Sequence, residues 1–239
     1  MSLKVLSLNI EGQKHLERVR GFLASEKADV VCLMEVHQSN IESLVGAEYR
    51  DWVYAPNNVV QQESATRKRE TMGVMIMSKQ MFDRQTIKYF DGKTPGTIAM
   101  IGTGTHSPVM VVVELCEYRL GAVHFTWTPA ASVTQKQNKH LDNLLNELAG
   151  VEMVMCGDFN IPRGNELYGK LSARYRDNVP AEVESTIDPV LHYANQKHPG
   201  KLKLVVDYAW STPGYLVEKV RVETGISDHC GLVCLVSRV

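Results

Sequence analysis

Short apolar runs of strand length recur along this chain, and polar residues capable of chemistry stand at the ends of several of them. Lys4–Asn9, Asp29–Val36, Gly121–Thr126, Glu152–Cys156 and Leu202–Trp210 read this way, with Asn9, Glu35, His124, Asp158, Asn160 and Asp207 in or just after them. Further runs lie at Trp52–Ala55, Gly73–Met77, Thr86–Phe90, Val109–Cys116, Lys219–Glu223 and Cys230–Val236. Runs of this kind between turn formers are strands that bury their side chains, so the chain must fold around sheets.

Helical periods fall between them. Leu16, Val19, Phe22 and Leu23 share one face over 14–26, and Leu141, Leu144, Leu145 and Leu148 share one over 133–148. Ser39–Val45 reads as a short helix with Ser39 as N-cap and Glu42 in the capping-box position, and Asn165–Leu171 as another. Helix and strand alternate early, hairpin-like strands follow, and alternation returns. That order places the chain in the α/β class, with mixed sheets flanked by helices. Two stretches, 57–71 with Arg67-Lys68-Arg69 and 174–201, read as long loops, and loops of such length are often functional.

At 239 residues and 44% hydrophobic the chain can bury a sizeable core, in one large α/β domain or two small ones. A formal net charge of -1 argues against a grip on nucleic acid by bulk charge, leaving room for a local basic patch, and gives no support for a polybasic membrane anchor. The five cysteines are widely spaced, odd in number and without a C-x-x-C pair. They fit neither a disulfide framework nor a zinc site, and read as buried reduced thiols of a cytoplasmic protein. No signal-peptide pattern opens the chain, and no apolar stretch is long enough to span a bilayer.

Asp158 and Asn160 stand two apart in Cys156-Gly157-Asp158-Phe159-Asn160, so in an extended chain their side chains point the same way. Near the end, Ser227-Asp228-His229 precedes another apolar run. A carboxylate and an amide aimed at one point, with an Asp-His pair elsewhere, suit metal-assisted attack of water on a phosphoester. Singly, each residue has a plainer reading. Asn9 can be a turn former, Glu35 a strand-end charge, Asp158 a cap, Asp207 an edge residue, Asp228-His229 a surface turn and His124 a core histidine.

Taken in order, these residues resemble the endonuclease/exonuclease/phosphatase superfamily, from Leu6-Ser7-Leu8-Asn9 to Ser227-Asp228-His229. Its members include DNases, abasic endonucleases, tyrosyl-DNA phosphodiesterases, deadenylases, sphingomyelinases and inositol polyphosphate phosphatases. The resemblance implies one domain over 1–239, a four-layer α/β/β/α sandwich with its site at one end. It implies a Mg2+-dependent phosphoester hydrolase, with Mn2+ as the alternative ion. Glu35 matches the metal-holding carboxylate, and Asn9 and Asp228 match further groups at the metal end. Asp158 would orient or deprotonate the attacking water, Asn160 hold a phosphate oxygen, and His229 stabilise developing charge. Asp207 would orient that histidine, and His124 bind the phosphate or assist the leaving oxygen.

Asn9-Ile10-Glu11-Gly12 is closer to the tyrosyl-DNA phosphodiesterase pattern than to that of the abasic enzymes, and His124 points the same way. Arg163 either reaches a second phosphate or pairs on the surface, while Trp127 and Tyr168 either stack on a base or pack. The remaining histidines (His15, His37, His106, His140, His192 and His198) read as surface groups, with His37 in a loop. Gly102-Thr103-Gly104 lacks dinucleotide-fold spacing. The favoured substrate is DNA or RNA. Small or lipid-linked phosphates are the alternative, and an inactive binding protein of the same fold is the third.

Overall fold

Alternation within single strands sets the layers. The computed structural model describes residues 2–61, 69–93 and 106–239. Among them, in chain order, lie β1 (Ser2–Asn9), α1 (Leu16–Glu26), β2 (Val30–His37), α2 (Ile41–Val45), β3 (Asp51–Gln61), β4 (Arg69–Ser78), β5 (Arg84–Tyr89) and β6 (Val109–Leu115). There follow β7 (Tyr118–His124), α3 (Gln135–Glu147), β8 (Val154–Asp158), α4 (Glu166–Ser172), β9 (Arg176–Asp177), β10 (Asp207–Ser211), β11 (Tyr215–Glu223) and β12 (Gly231–Arg238). They form two six-stranded sheets, ordered β11-β12-β1-β2-β4-β3 and β5-β6-β7-β8-β10-β9.

On β1, Leu3 and Val5 face the second sheet, while Leu6 and Leu8 face α1 and α2. On β8, Val154 and Cys156 enter the inter-sheet core, and Met155 turns toward α3 and α4. Three apolar clusters follow, one between the sheets and one under each helical layer, which is the four-layer α/β/β/α sandwich. Val19 and Leu23 of α1 and Leu141, Leu144 and Leu145 of α3 are buried, each aliphatic side chain contributing about 1.5–3 kcal/mol. Helices as short as α2 and α4 hold only because packing holds them.

One pattern positions the site. β1 runs parallel to β2 across α1, and β7 parallel to β8 across α3. Both parallel pairs therefore end at the same kind of rim, where Asn9 lies level with Met34 and His124 level with Asp158. Crevices outside the carboxyl ends of parallel strands are where α/β sheets bind ligands.

Several expectations are corrected. Residues 57–61 and 69–71 are strand, because β3 and β4 go on pairing with each other past the end of β2, where the described side chains other than the buried Asn57 stay outside the core. Residues 62–68, with Arg67 and Lys68, and Gly102-Thr103-Gly104 lie outside the described residues. Ser39 caps no helix. It sits in a single 3-10 turn, and its backbone N–H donates to Glu70 Oε2 across the sheet. Of the expected 202–210 run only residues 207–210 are strand, at the start of β10, since Val206 N–H turns to Thr186 Oγ1. β2 continues through His37, whose Nδ1 lies 2.8 Å from Glu70. Cys116 is exposed at a turn, unlike the four other free cysteines, which are buried.

Gly157 is the tightest point of the scaffold. Its φ is +140°, and a Cβ there would lie 2.0 Å from the Val123 carbonyl oxygen. Gly157→Ala is therefore expected to cost more than about 3 kcal/mol, by forcing β7 and β8 apart. Urea titration checks this, and a loss under about 1 kcal/mol would contradict it.

Candidate active site

Glu35 reaches the rim through a distortion. Leu33 pairs with Met75 and Val36 with Gly73, so two residues of β2 oppose one of β4. At this bulge Glu35 adopts φ +59°, a left-handed backbone that costs a non-glycine residue about 1 kcal/mol or more and re-aims its side chain. Asn160, at φ +51°, and Glu11, at φ +49°, repeat the device at neighbouring strand ends.

Across the two sheets the side chains converge. Asn9 Nδ2 donates to Glu35 Oε1 and to Asp158 Oδ2, both at 3.2 Å. His124 Nε2 lies 3.8 Å from Glu35 and 3.7 Å from Asp158. Asp158 Oδ1 accepts from the Asn160 N–H at 2.8 Å. His229 Nδ1 meets Asp207 Oδ2 at 2.9 Å, and its Nε2 lies 3.9 Å from Asp158 Oδ2. Asp158, Asp207 and His229 offer ligand atoms that all lie within 4.8 Å of one another, close enough to hold one ion. Asp228, buried beside His229 in sequence, accepts from Ser227 Oγ at 3.2 Å, and its charge acts on both the Glu35 carboxyl and the His229 ring. Seven of the eight residues singled out in the sequence are joined by these contacts, and Asp228 adjoins them as the chain neighbour of His229.

Electrostatics divides the cluster in two. Burial, then the charge of Asp228, pushes Glu35 up to about 7. Burial also pushes Asp158 to about 7, against the pull of His229. Burial alone would lower His229, but Asp207 and Asp158 raise it well above the usual histidine range, so it carries a proton. Burial lowers His124 well below that range and keeps it neutral. Asn57 Nδ2 donates to His124 Nδ1 at 3.2 Å, which leaves the ring proton on Nε2.

Four contributors escaped the sequence reading. His106 stacks on His124 at 3.8 Å and donates to the Phe125 carbonyl at 2.6 Å. Asn57, fully buried, holds the other side of that ring. Thr186 Oγ1 accepts from the Val206 and Asp207 N–H groups, while its carbonyl accepts from Cys230. Asp188 Oδ2 accepts from Gly225, and the Asp188 N–H donates to the Asp228 carbonyl. Together Thr186 and Asp188 stitch the Asp207 strand to the Asp228-His229 segment. No local motif announces any of them, since each acts through space.

The surface reading of the histidines is corrected for His140 and His192, which are buried, and for His15, His37 and His106, which are half-buried. His140 Nδ1 meets Thr126 Oγ1 at 2.7 Å. Arg163 faces no phosphate: Asp177 and the Val179 and Pro180 carbonyls take its donors. Tyr168 packs on Tyr208 and Trp210, while Trp127 remains 45% exposed near His124.

Comparison with known proteins gives a family and a fold for the chain. A model of the Endonuclease/Exonuclease/phosphatase family matches residues 6–229. No curated protein matches the chain by sequence. Among solved structures, an endonuclease/exonuclease/phosphatase from Beutenbergia cavernae DSM 12333 superposes with TM-score 0.72 at 19% identity, covering 99% of this chain and 72% of that one. D. rerio TDP2 complexed with single strand DNA product gives TM-score 0.70 at 16% identity, with 99% of each chain covered. The human Nocturnin catalytic domain with bound sulfate anion gives 0.66 at 17% identity, covering 100% of this chain and 94% of that one.

Proposed function

The chain belongs to the endonuclease/exonuclease/phosphatase family, and on that premise we propose that it is a Mg2+-dependent phosphodiesterase acting on nucleic acid. The observation that carries this is the Asn9 amide, which bridges Glu35 of one sheet to Asp158 of the other. Residues 1–239 act as one domain of this kind, and the buried free thiols support a reducing, cytoplasmic setting. Among the described residues no helix is long and apolar enough to cross a membrane.

Glu35, Asp228 and Asn9 are the residues we assign to the ion. Glu35 and Asp228 would supply carboxylate oxygens of the kind magnesium prefers. Asn9, whose Nδ2 donates to Glu35 and whose Oδ1 accepts from the Glu11 N–H, would position Glu35 beside the ion. Burial, and then the Asp228 charge, lift Glu35 to about 7, and a divalent cation would offset both. The Asp158–Asp207–His229 trio is a poorer host for magnesium, because His229 Nδ1 is engaged by Asp207 Oδ2 and an imidazole nitrogen suits that ion less well than oxygen. Bound at the Glu35 side, Mg2+, or Mn2+ in its place, would supply a Lewis acid that polarises the phosphoryl oxygens.

The chain's own groups do the rest. Asp158 orients the attacking water and takes its proton, a task suited to a carboxylate near 7. His229, held by Asp207, donates from Nε2 to a phosphate oxygen as negative charge develops. Neutral His124 offers its Nε2–H to the phosphate or the leaving oxygen. Asn160 directs one amide hydrogen to the Phe125 carbonyl and keeps the other for a phosphate oxygen.

A nucleic-acid substrate is supported by the likeness to a structure that holds single strand DNA. The net charge of -1 favours small or lipid-linked phosphates as the second reading. An inactive binder would not require every group of this set. Incubation with single-stranded DNA, 5′-tyrosyl DNA, inositol phosphates and sphingomyelin, in Mg2+ and in EDTA, decides among them. Mg2+-dependent cleavage of the DNA substrates is expected, and no cleavage of any ester would refute the reading.

Metal and pH are linked. Carboxyls raised to about 7 in the fold destabilise it as pH climbs from their unfolded values through 7, once both must ionise. The raised His229 acts in the same direction, since its stabilisation is full below its unfolded value and lost as pH climbs through the folded one. The lowered His124 acts the other way, since a ring kept neutral in the fold costs stability as pH falls below its unfolded value. The metal therefore carries the test: Mg2+ should raise the Tm more at pH 8 than at pH 5. Equal Mg2+ shifts at the two pH values would contradict this.

A further inference from the structure

The stretch 188–201 lacks regular structure, yet buried polar groups fix it tightly. Asp188, 1% exposed, accepts from the Val190 and Leu191 N–H groups through Oδ1 and from Gly225 through Oδ2. Asn195, fully buried, donates to the Asp188 and Leu202 carbonyls and accepts from the Leu202 N–H. Ile187 forms a bridge with His229 itself. The stretch therefore moves with the catalytic segment.

What these anchors present is an aromatic side chain to solvent. His192, 8% exposed, sets its ring edgewise to His229 with centroids 6.4 Å apart. Its Nδ1 accepts from the Ala194 N–H, so the ring proton sits on Nε2. Tyr193 lies against the His192 ring at 4.5 Å and is 69% exposed, a high value for a large aromatic on a rigid segment. The order His229, His192, Tyr193 leads outward from the phosphate position to an open aromatic face.

We propose that Tyr193 is a stacking platform for the nucleobase next to the scissile phosphate, with His192 at its edge, so that the site takes nucleotidyl phosphodiesters rather than lipid or inositol phosphates. This rests on the phosphodiesterase reading above and names its substrate class. A base offers a flat π-face to a tyrosine, whereas an inositol ring or an acyl chain does not. Stacking on one aromatic is worth about 1–3 kcal/mol per base and tolerates any sequence.

The experiment compares wild type, Tyr193→Ala and Tyr193→Trp on the 5′- and 3′-(p-nitrophenyl phosphate) esters of thymidine and on methyl p-nitrophenyl phosphate, which share a leaving group. Tyr193→Ala should raise KM for at least one thymidine ester about tenfold with little change in kcat, and affect the methyl ester far less. Tyr193→Trp should restore the lower KM. Fluorescence anisotropy of a labelled thymidine trinucleotide, in EDTA, should show the same tenfold weakening without any turnover. Equal effects on base-bearing and base-free esters, or unchanged KM and trinucleotide affinity, would overturn the platform. A wild type that cleaves no ester but loses trinucleotide affinity on Tyr193→Ala would keep the platform and sink the hydrolase reading.

Discussion

Glu35→Gln is expected to cut Mg2+-dependent turnover at least about a hundredfold at limiting Mg2+, and to weaken Mg2+ binding in parallel. Glutamine matches glutamate in shape, so the bulged backbone at φ +59° and the contact from Asn9 face no new steric demand. What disappears is one negative charge and one strong oxygen ligand. The metal-free protein should respond the other way. Glu35 stands close enough to Asp228 for that charge to raise its pKa, so neutralising it removes a repulsion. Its Tm in EDTA at pH 8 should therefore hold or rise while activity falls. Activity is read against a Mg2+ titration, and full turnover at limiting Mg2+ would remove Glu35 from the metal site.

His229→Ala is expected to lower turnover at least about a hundredfold through a different route. The loss removes the protonated donor aimed at the phosphate and leaves KM for the ion nearly unchanged. It also strands Asp207, whose Oδ2 loses its partner and whose Oδ1 is already buried without one. Breaking a buried pair from one side costs about 3–5 kcal/mol, so this variant should unfold earlier in urea as well. Activity and stability thus fall together here, whereas in Glu35→Gln they part. Near-normal turnover in His229→Ala would take the imidazole out of the chemistry.

Much of the fold is legible in the sequence because strand burial is local. The alternation of Val5 with Leu6, or Val154 with Met155, divides inner from outer layer within a single strand. The site is legible for a related reason: its residues stand at strand ends, and parallel pairs bring those ends to one rim. What the sequence hides is contact made through space. Nothing local says that Glu35 sits on a bulge, since the extra residue is defined by pairing with β4. His106 gave no periodic signal, yet it stacks on His124. Asn57 looked like the start of a loop because it is polar, yet it is buried in β3, where His124 from the other sheet takes its amide. His192 became a site neighbour only through the Asp188 and Ile187 links to the Asp228-His229 segment.

The division of labour within the cluster is the claim on which the mechanism depends, with cation at Glu35 and Asp228 and phosphate chemistry at Asp158 and His229. Anomalous diffraction from crystals soaked in Mn2+ tests it directly. A single strong peak within about 2.0–2.4 Å of the Glu35 carboxylate, on the Asp228 side, is the predicted result. A peak enclosed by Asp158, Asp207 and His229 would contradict it, as would no peak at either place.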